Sequence, residues 1–153
     1  MKELKIRFVK IEPIRVACTH AHGVSPEPEA WKAMEDWAGP KGLLSDPADF
    51  YLFGRNDPSP SKEGEPYGYR FMISVGPEVK QEGTVNIEEI PGGLYAVTRT
   101  QGVYTLPNAW MNLYNWCKKN RHKITGHGLE EHLTPHEKSF DKLLFDLWMP
   151  IEE

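Results

Sequence analysis

Two adjacent glutamates and a histidine stand in Gly128-Leu129-Glu130-Glu131-His132-Leu133, the stretch of the chain with the plainest chemistry. A carboxylate taken out of water is costly unless it finds a partner. Burial raises its pKa, and a bound cation lowers it again. Strand alternation would put Leu129, Glu131 and Leu133 on one face and Glu130 and His132 on the other. One glutamate is then expected to point inward, and the pattern does not choose which. An edge strand with both glutamates in water is the alternative. The other groups with reactive chemistry are sparser. His20 and His22 share a face at strand spacing, while His122, His127, His132 and His136 are scattered. Two histidines and a glutamate suit zinc, but there is no cysteine pair and no helical His-x-x-x-His, so neither a metal nor a cofactor is expected. Cys18 and Cys117 read as small core residues of a protein from a reducing cytoplasm. Gly92-Gly93 precedes a strand rather than a helix and is no phosphate cradle.

Five Trp, six Tyr and six Phe make up 11% of the chain, enough to line a pocket as well as fill a core. Ring faces around a carboxylate would favour an apolar cation, at about 0.5–2 kcal/mol per good contact. Trp110 and Tyr114 are four positions apart and share a helical face, which is expected to line the cavity. Tyr51, Phe53, Phe71 and Trp148 are the candidates from strand positions, and His132 the polar one. Trp31 and Trp37 are read as core.

An internal repeat positions these residues. Val9, Ile11, Glu12 and Ile14 recur as Val85, Ile87, Glu88 and Ile90, 76 positions later. The Pro91-Gly92-Gly93 turn then adds three residues, and Ala30, Trp31, Met34 and Trp37 fall on Ala109, Trp110, Leu113 and Trp116. Matching tryptophans are improbable by chance, so the halves, approximately 1–80 and 81–153, are copies of one unit. Each copy reads as strand, helix, strand, strand. The first helix is opened by Ser25-Pro26 and stopped by Gly39-Pro40. The second is opened by Pro107 and is apolar over so wide an arc that deep burial is expected. Paired strands are expected near Phe50–Phe53, Tyr69–Val75, Leu129–Leu133 and Leu143–Ile151. The fold class is α+β: duplicated β-α-β-β units about a pseudo-twofold, an antiparallel barrel-like sheet with two main helices packed outside. A cavity is expected at the seam. Carried on to the later strands, the offset of 79 places Glu130 on Tyr51.

At 153 residues the chain is expected to be a single domain burying roughly 70% of its unfolded surface. Net charge is -4, which disfavours nucleic acid as a direct partner. The basic cluster Lys118-Lys119-Asn120-Arg121-His122-Lys123 is read as cations at a helix C-terminus. No apolar run approaches the ~20 residues of a membrane span. The N-terminus lacks the apolar core of a signal peptide, so a cytoplasmic location is expected.

The chain resembles the GyrI-like, or bacterial effector-binding, domains found at the C-terminus of AraC-type regulators such as Rob and in regulators of the MerR type. The resemblance is carried by Gly92-Gly93-Leu94-Tyr95-Ala96-Val97, the Gly102 corner, Ala109-Trp110 with Leu113-Tyr114 and Trp116, Leu129-Glu130-Glu131-His132-Leu133, and Leu147-Trp148-Met149-Pro150-Ile151. Tyr67-Gly68-Tyr69-Arg70-Phe71 looks like the family's aromatic strand, and the whole covers roughly residues 5 to 151. It implies an SHS2-like duplication with a central pocket for hydrophobic, often cationic, molecules, and it places the family's buried glutamate on Glu130. His132 stands where the family often has tyrosine. A histidine there would carry charge near neutral pH, so that affinity for cations would rise with pH. The expected function is a stand-alone, multidrug-type small-molecule-binding protein without an attached DNA-binding domain. The alternatives are a hydrolase of reactive cyclopropane-bearing compounds using Glu130 as catalytic residue, and a protein-interaction module such as a gyrase modulator whose protein partner is unknown.

Overall fold

The structure, a computed structural model, describes residues 4–153. It carries β1 (Arg7–Ile11), β2 (Ile14–Gly23), α1 (Glu27–Ala38), β3 (Leu52–Asn56), β4 (Tyr67–Ser74), β5 (Asn86–Ile90), β6 (Gly93–Gln101), α2 (Leu106–Lys119), β7 (Leu129–His132) and β8 (Leu144–Ile151). The series is α+β and runs through strand, helix, strand, strand twice, each time behind a short leading strand. Two compact units result: Ile14–Ile90, and the residues up to Pro13 together with Pro91–Glu153. In the continuous unit the order is β3-β4-β2-β5, and in the discontinuous unit β1-β6-β8-β7, all antiparallel.

The leading strands leave their own copy of the repeat. Only Glu12-Pro13 separates β1 from β2, and only Pro91-Gly92 separates β5 from β6. Two-residue hairpins use turns with positive φ, which the fixed negative φ of proline opposes. Thus β1 pairs with β6 and β5 with β2.

Each helix covers one face of its own sheet. Ala30, Met34 and Ala38 of α1, at four-residue spacing, are buried on Ala17, Phe71 and Ile73. Leu113 and Cys117 of α2 are buried on Ala96, Phe145, Leu147 and Met149. Burying one side chain the size of Met34 or Leu113 contributes about 2 kcal/mol. Trp31 packs at the edge of the first core, its ring 5.3 Å from that of Phe71.

Two local expectations differ. The helix α1 starts at Glu27 behind Pro26, with no side-chain cap from Ser25. Glu27 and Glu29 in its first turn meet the helix dipole instead. The helix α2 is less buried than its composition suggested: Met111 is 61% and Tyr114 45% exposed. One side of this helix suffices to cover a four-stranded sheet, so Met111 and Tyr114 stay on the surface.

Candidate functional site

Side chains opposite one another in an antiparallel pair share a face. In the β7–β8 register Glu130 lies opposite Leu147 and His132 opposite Phe145, both under α2. Leu129 lies opposite Trp148 and Glu131 opposite Asp146, on the face away from the helix. The alternation that left two possibilities thus resolves with one glutamate on each face, both partly buried. Each is held by an indole, a group that only donates. Trp110 Nε1 donates to Glu130 Oε2 at 2.9 Å, and Trp148 Nε1 donates to Glu131 Oε1 at 3.0 Å. The helix α2 therefore brings Trp110 onto the carboxylate that β7 turns toward it.

The position of Glu130 within the repeat is corrected by the register. Within each unit, Gly54 lies opposite Phe71 and Glu130 opposite Leu147, while Thr19 opposite Phe71 corresponds to Thr98 opposite Leu147. Glu130 thus takes the place of Gly54 and not of Tyr51. The offset shrinks after the helix because residues 120–128 form a shorter connection than residues 39–51. At Gly54 a Cβ would lie within contact of the Tyr69 ring, so the equivalent space in the continuous unit is filled by that aromatic side chain.

A glycine also shapes the contact itself. A Cβ on Gly128 would stand 2.4 Å from Cη2 of Trp110, so the indole rests directly on this backbone. Nothing in the sequence marked Gly128, because the contact joins a helix to a turn eighteen residues on. Gly128→Ala is expected to push the indole off Glu130. It should cost about 1–3 kcal/mol by overpacking and shift the tryptophan emission, which denaturant unfolding and fluorescence measure.

Burial dominates the charge of the neighbouring groups. It pushes the Glu131 carboxyl up, against the opposing effects of the Trp148 bond and of Arg7 and Arg99, while Asp146 adds to the rise. Burial also lowers His132 to about 3. His132, whose ring meets Phe145 edge to face at 5.1 Å, is therefore neutral at physiological pH. The expected change of charge near neutrality does not occur there, because an imidazolium would lose its hydration. The sign for stability follows. The unfolded chain takes up this proton near 6.5 and the folded chain only near 3, so acidification across that window favours unfolding. His132→Phe is expected to flatten that part of a stability–pH curve.

Beneath the other face, Asp146 is 1% exposed and accepts from Arg7 Nη2 at 2.6 Å, Arg99 Nε at 2.9 Å and Arg99 Nη2 at 3.2 Å. Burial pushes this carboxyl up, but the guanidinium bonds outweigh it and hold the pKa below its ordinary value. This ion cluster was missed in the sequence, where its members lie far apart.

Five of the eight candidate residues belong to the discontinuous unit and three to the continuous one. Glu130, Trp110 and His132 share the helix face of the discontinuous unit. Trp148 is on its opposite face with Glu131 and the Tyr95 ring, 5.4 Å away. Tyr114 is exposed, with Lys118 Nζ 5.4 Å from its ring centre. Phe71, Tyr51 and Phe53 belong to the continuous unit, Phe71 between Trp31 and Tyr69, and Tyr51 stacked on Phe53 at 5.5 Å. A shallow depression of about 320 Å³ in that unit is lined by Leu43, Phe50, Val75 and neighbours, and by none of the eight. Among the described residues no group of three or more His, Cys, Asp or Glu is placed to hold a metal ion. No helix among them is long and apolar enough to cross a membrane.

The sequence profile of the GyrI-like small molecule binding domain matches residues 4–152. No curated protein matches the chain. Among solved structures, the EcmrR C-terminal domain is 17% identical, with 98% of each chain covered and a TM-score of 0.73. In the complex of EcmrR with DNA, the chain spans 57% of the EcmrR chain, with 97% of its own length covered, at 16% identity and a TM-score of 0.74. A hydrolase from Listeria innocua is 9% identical over 99% of this chain and 94% of its own, with a TM-score of 0.71. SAV2435 bound to tetraphenylphosphonium is 10% identical over 97% and 94%, with a TM-score of 0.55. At these identities the likeness is one of fold.

Proposed function

The chain belongs to the family of GyrI-like small molecule binding domains, and from that premise we propose that it captures hydrophobic, preferably cationic, small molecules against Glu130. The observation that carries this reading is the Trp110–Glu130 bond at 2.9 Å on the helix-covered face, between the apolar side chains of β8 and α2. A carboxylate among rings and aliphatic groups attracts a soft cation more strongly than a neutral ligand of the same shape. With His132 neutral, no neighbouring imidazolium competes for the carboxylate. The tetraphenylphosphonium carried by SAV2435 supports this class of ligand, and the likeness to EcmrR supports a role linked to transcription regulation.

Calorimetric titration with tetraphenylphosphonium and with its neutral analogue triphenylphosphine oxide tests the reading. The cation is expected to bind the more tightly. Equal affinities would remove the carboxylate from recognition, and no binding of either would remove the pocket.

A second reading is hydrolysis at the same carboxylate, supported by the likeness to the Listeria innocua hydrolase. Glu130 would take a proton from a water whose oxygen attacks an electrophilic ring carbon; the ring C–C bond would break, its electron pair passing to the electron-poor system that activates the ring, which then takes up the proton, while the indole of Trp110 would orient the carboxylate. Incubation with a cyclopropane-bearing alkylating compound separates the two. Ring-opened, hydrated product whose formation stops in Glu130→Gln identifies an enzyme, and unchanged compound a binding protein.

A further inference from the structure

We infer that the outer edge of β1, the rings beside it and the cations at the end of α2 together dock an extended acidic segment of another protein. The inference does not depend on what Glu130 binds. The strand β1 pairs on one side only, with β6, and no other strand among the described residues pairs with it. Alternate N–H and C=O groups of Arg7–Ile11 therefore point outward, a template for an added strand.

Phe8 projects from this edge and is 52% exposed. Its ring lies 6.0 Å from Trp116 and 5.4 Å from His122, which are themselves parallel within 13° at 5.4 Å. One exposed ring backed by two half-buried ones, beside an open strand, offers a seat for the apolar side chains of a partner strand.

Lys118, Lys119 and Arg121 follow from the same helix end and are exposed. None of the three is in an ion pair among the described residues; Lys118 only covers the Tyr114 ring. In a chain of net charge -4 this is a local excess of positive charge. The helix dipole accounts for lysines in the last turn. It does not account for Arg121, whose φ is 62. There Arg121 N bonds Lys118 O at 3.1 Å and His122 N bonds Cys117 O at 2.8 Å, a helix ending that normally takes glycine. A cation thus stands at a position whose backbone favours glycine.

Strand edge, rings and cations fit one occupant: an extended segment with acidic residues alternating with apolar ones.

Fluorescence anisotropy with a labelled octapeptide alternating glutamate with phenylalanine and valine, at low ionic strength, tests this. Saturable binding is expected for the wild type. It should weaken about ten-fold in Phe8→Ser and in the Lys118→Glu, Lys119→Glu double variant. Arg121→Gly is the discriminating variant: its Tm should rise as strain is relieved, while peptide affinity falls. Absence of binding, affinity unchanged in these variants, or tighter binding of a single-stranded octanucleotide than of the peptide would each overturn the proposal.

Discussion

Tetraphenylphosphonium is expected to raise the Tm of the wild-type protein and to leave that of Glu130→Gln unchanged. The amide oxygen still accepts the Trp110 N–H, and the side chain keeps its size, so the local fold should persist. What disappears is the negative charge opposite the ligand. The Coulomb attraction between a carboxylate and a phosphonium centre about 8 Å away, at an effective dielectric of about 20, is on the order of 2 kcal/mol, so affinity should fall roughly thirty-fold. Trp110→Phe keeps an aromatic face and removes only the N–H that orients the carboxylate, so its effect should be smaller. With His132 neutral, wild-type affinity should stay flat between about pH 6 and 8. Thermal shift and calorimetry on the three proteins measure these outcomes. Glu130→Gln protein that still binds the cation as the wild type does would exclude this carboxylate from the site.

The largest loss of stability is expected from Asp146→Ala. The carboxylate is 1% exposed, and removing it breaks three guanidinium bonds at once. Breaking such a buried group of charges costs about 3–5 kcal/mol. The lower end, about 3 kcal/mol, applies here because the Arg7 and Arg99 side chains are 50% and 55% exposed and can turn to water. The pH dependence has a definite sign. A carboxyl held below its ordinary 3.8 stabilises the fold above that value and loses its contribution as the pH falls through the depressed one. The gap between wild type and Asp146→Ala should therefore close in strong acid. Glu131 works in the opposite direction: its raised pKa gives a contribution present in acid and lost as the pH rises. Removing Asp146 takes away one of the charges that raise it, so Glu131 should ionise more readily in the variant. Denaturant unfolding at neutral and acid pH measures both effects.

The sequence by itself determined the elements and their duplication. Apolar side chains at period two and at helical spacing, with matched tryptophans and prolines, were enough to order strands and helices, because those patterns reflect which face each element buries. They also singled out Leu129–Leu133 as the candidate stretch for ligand chemistry. Other features depended on residues far apart in the chain. Which glutamate faces α2 was settled by the register of β7 on β8, since a slip of one residue would exchange the faces of Glu130 and Glu131. That Glu130 takes the place of Gly54 was settled by the shortened connection after α2. The exchange of β1 and β5 between the two units, the seat of the Trp110 indole on Gly128, and the clamp of Arg7 and Arg99 on Asp146 all join positions that local patterns do not couple. The exposure of Tyr114 and the neutrality of His132 arise in the same way, because burial is a property of the packed sheet and helix and not of the residue.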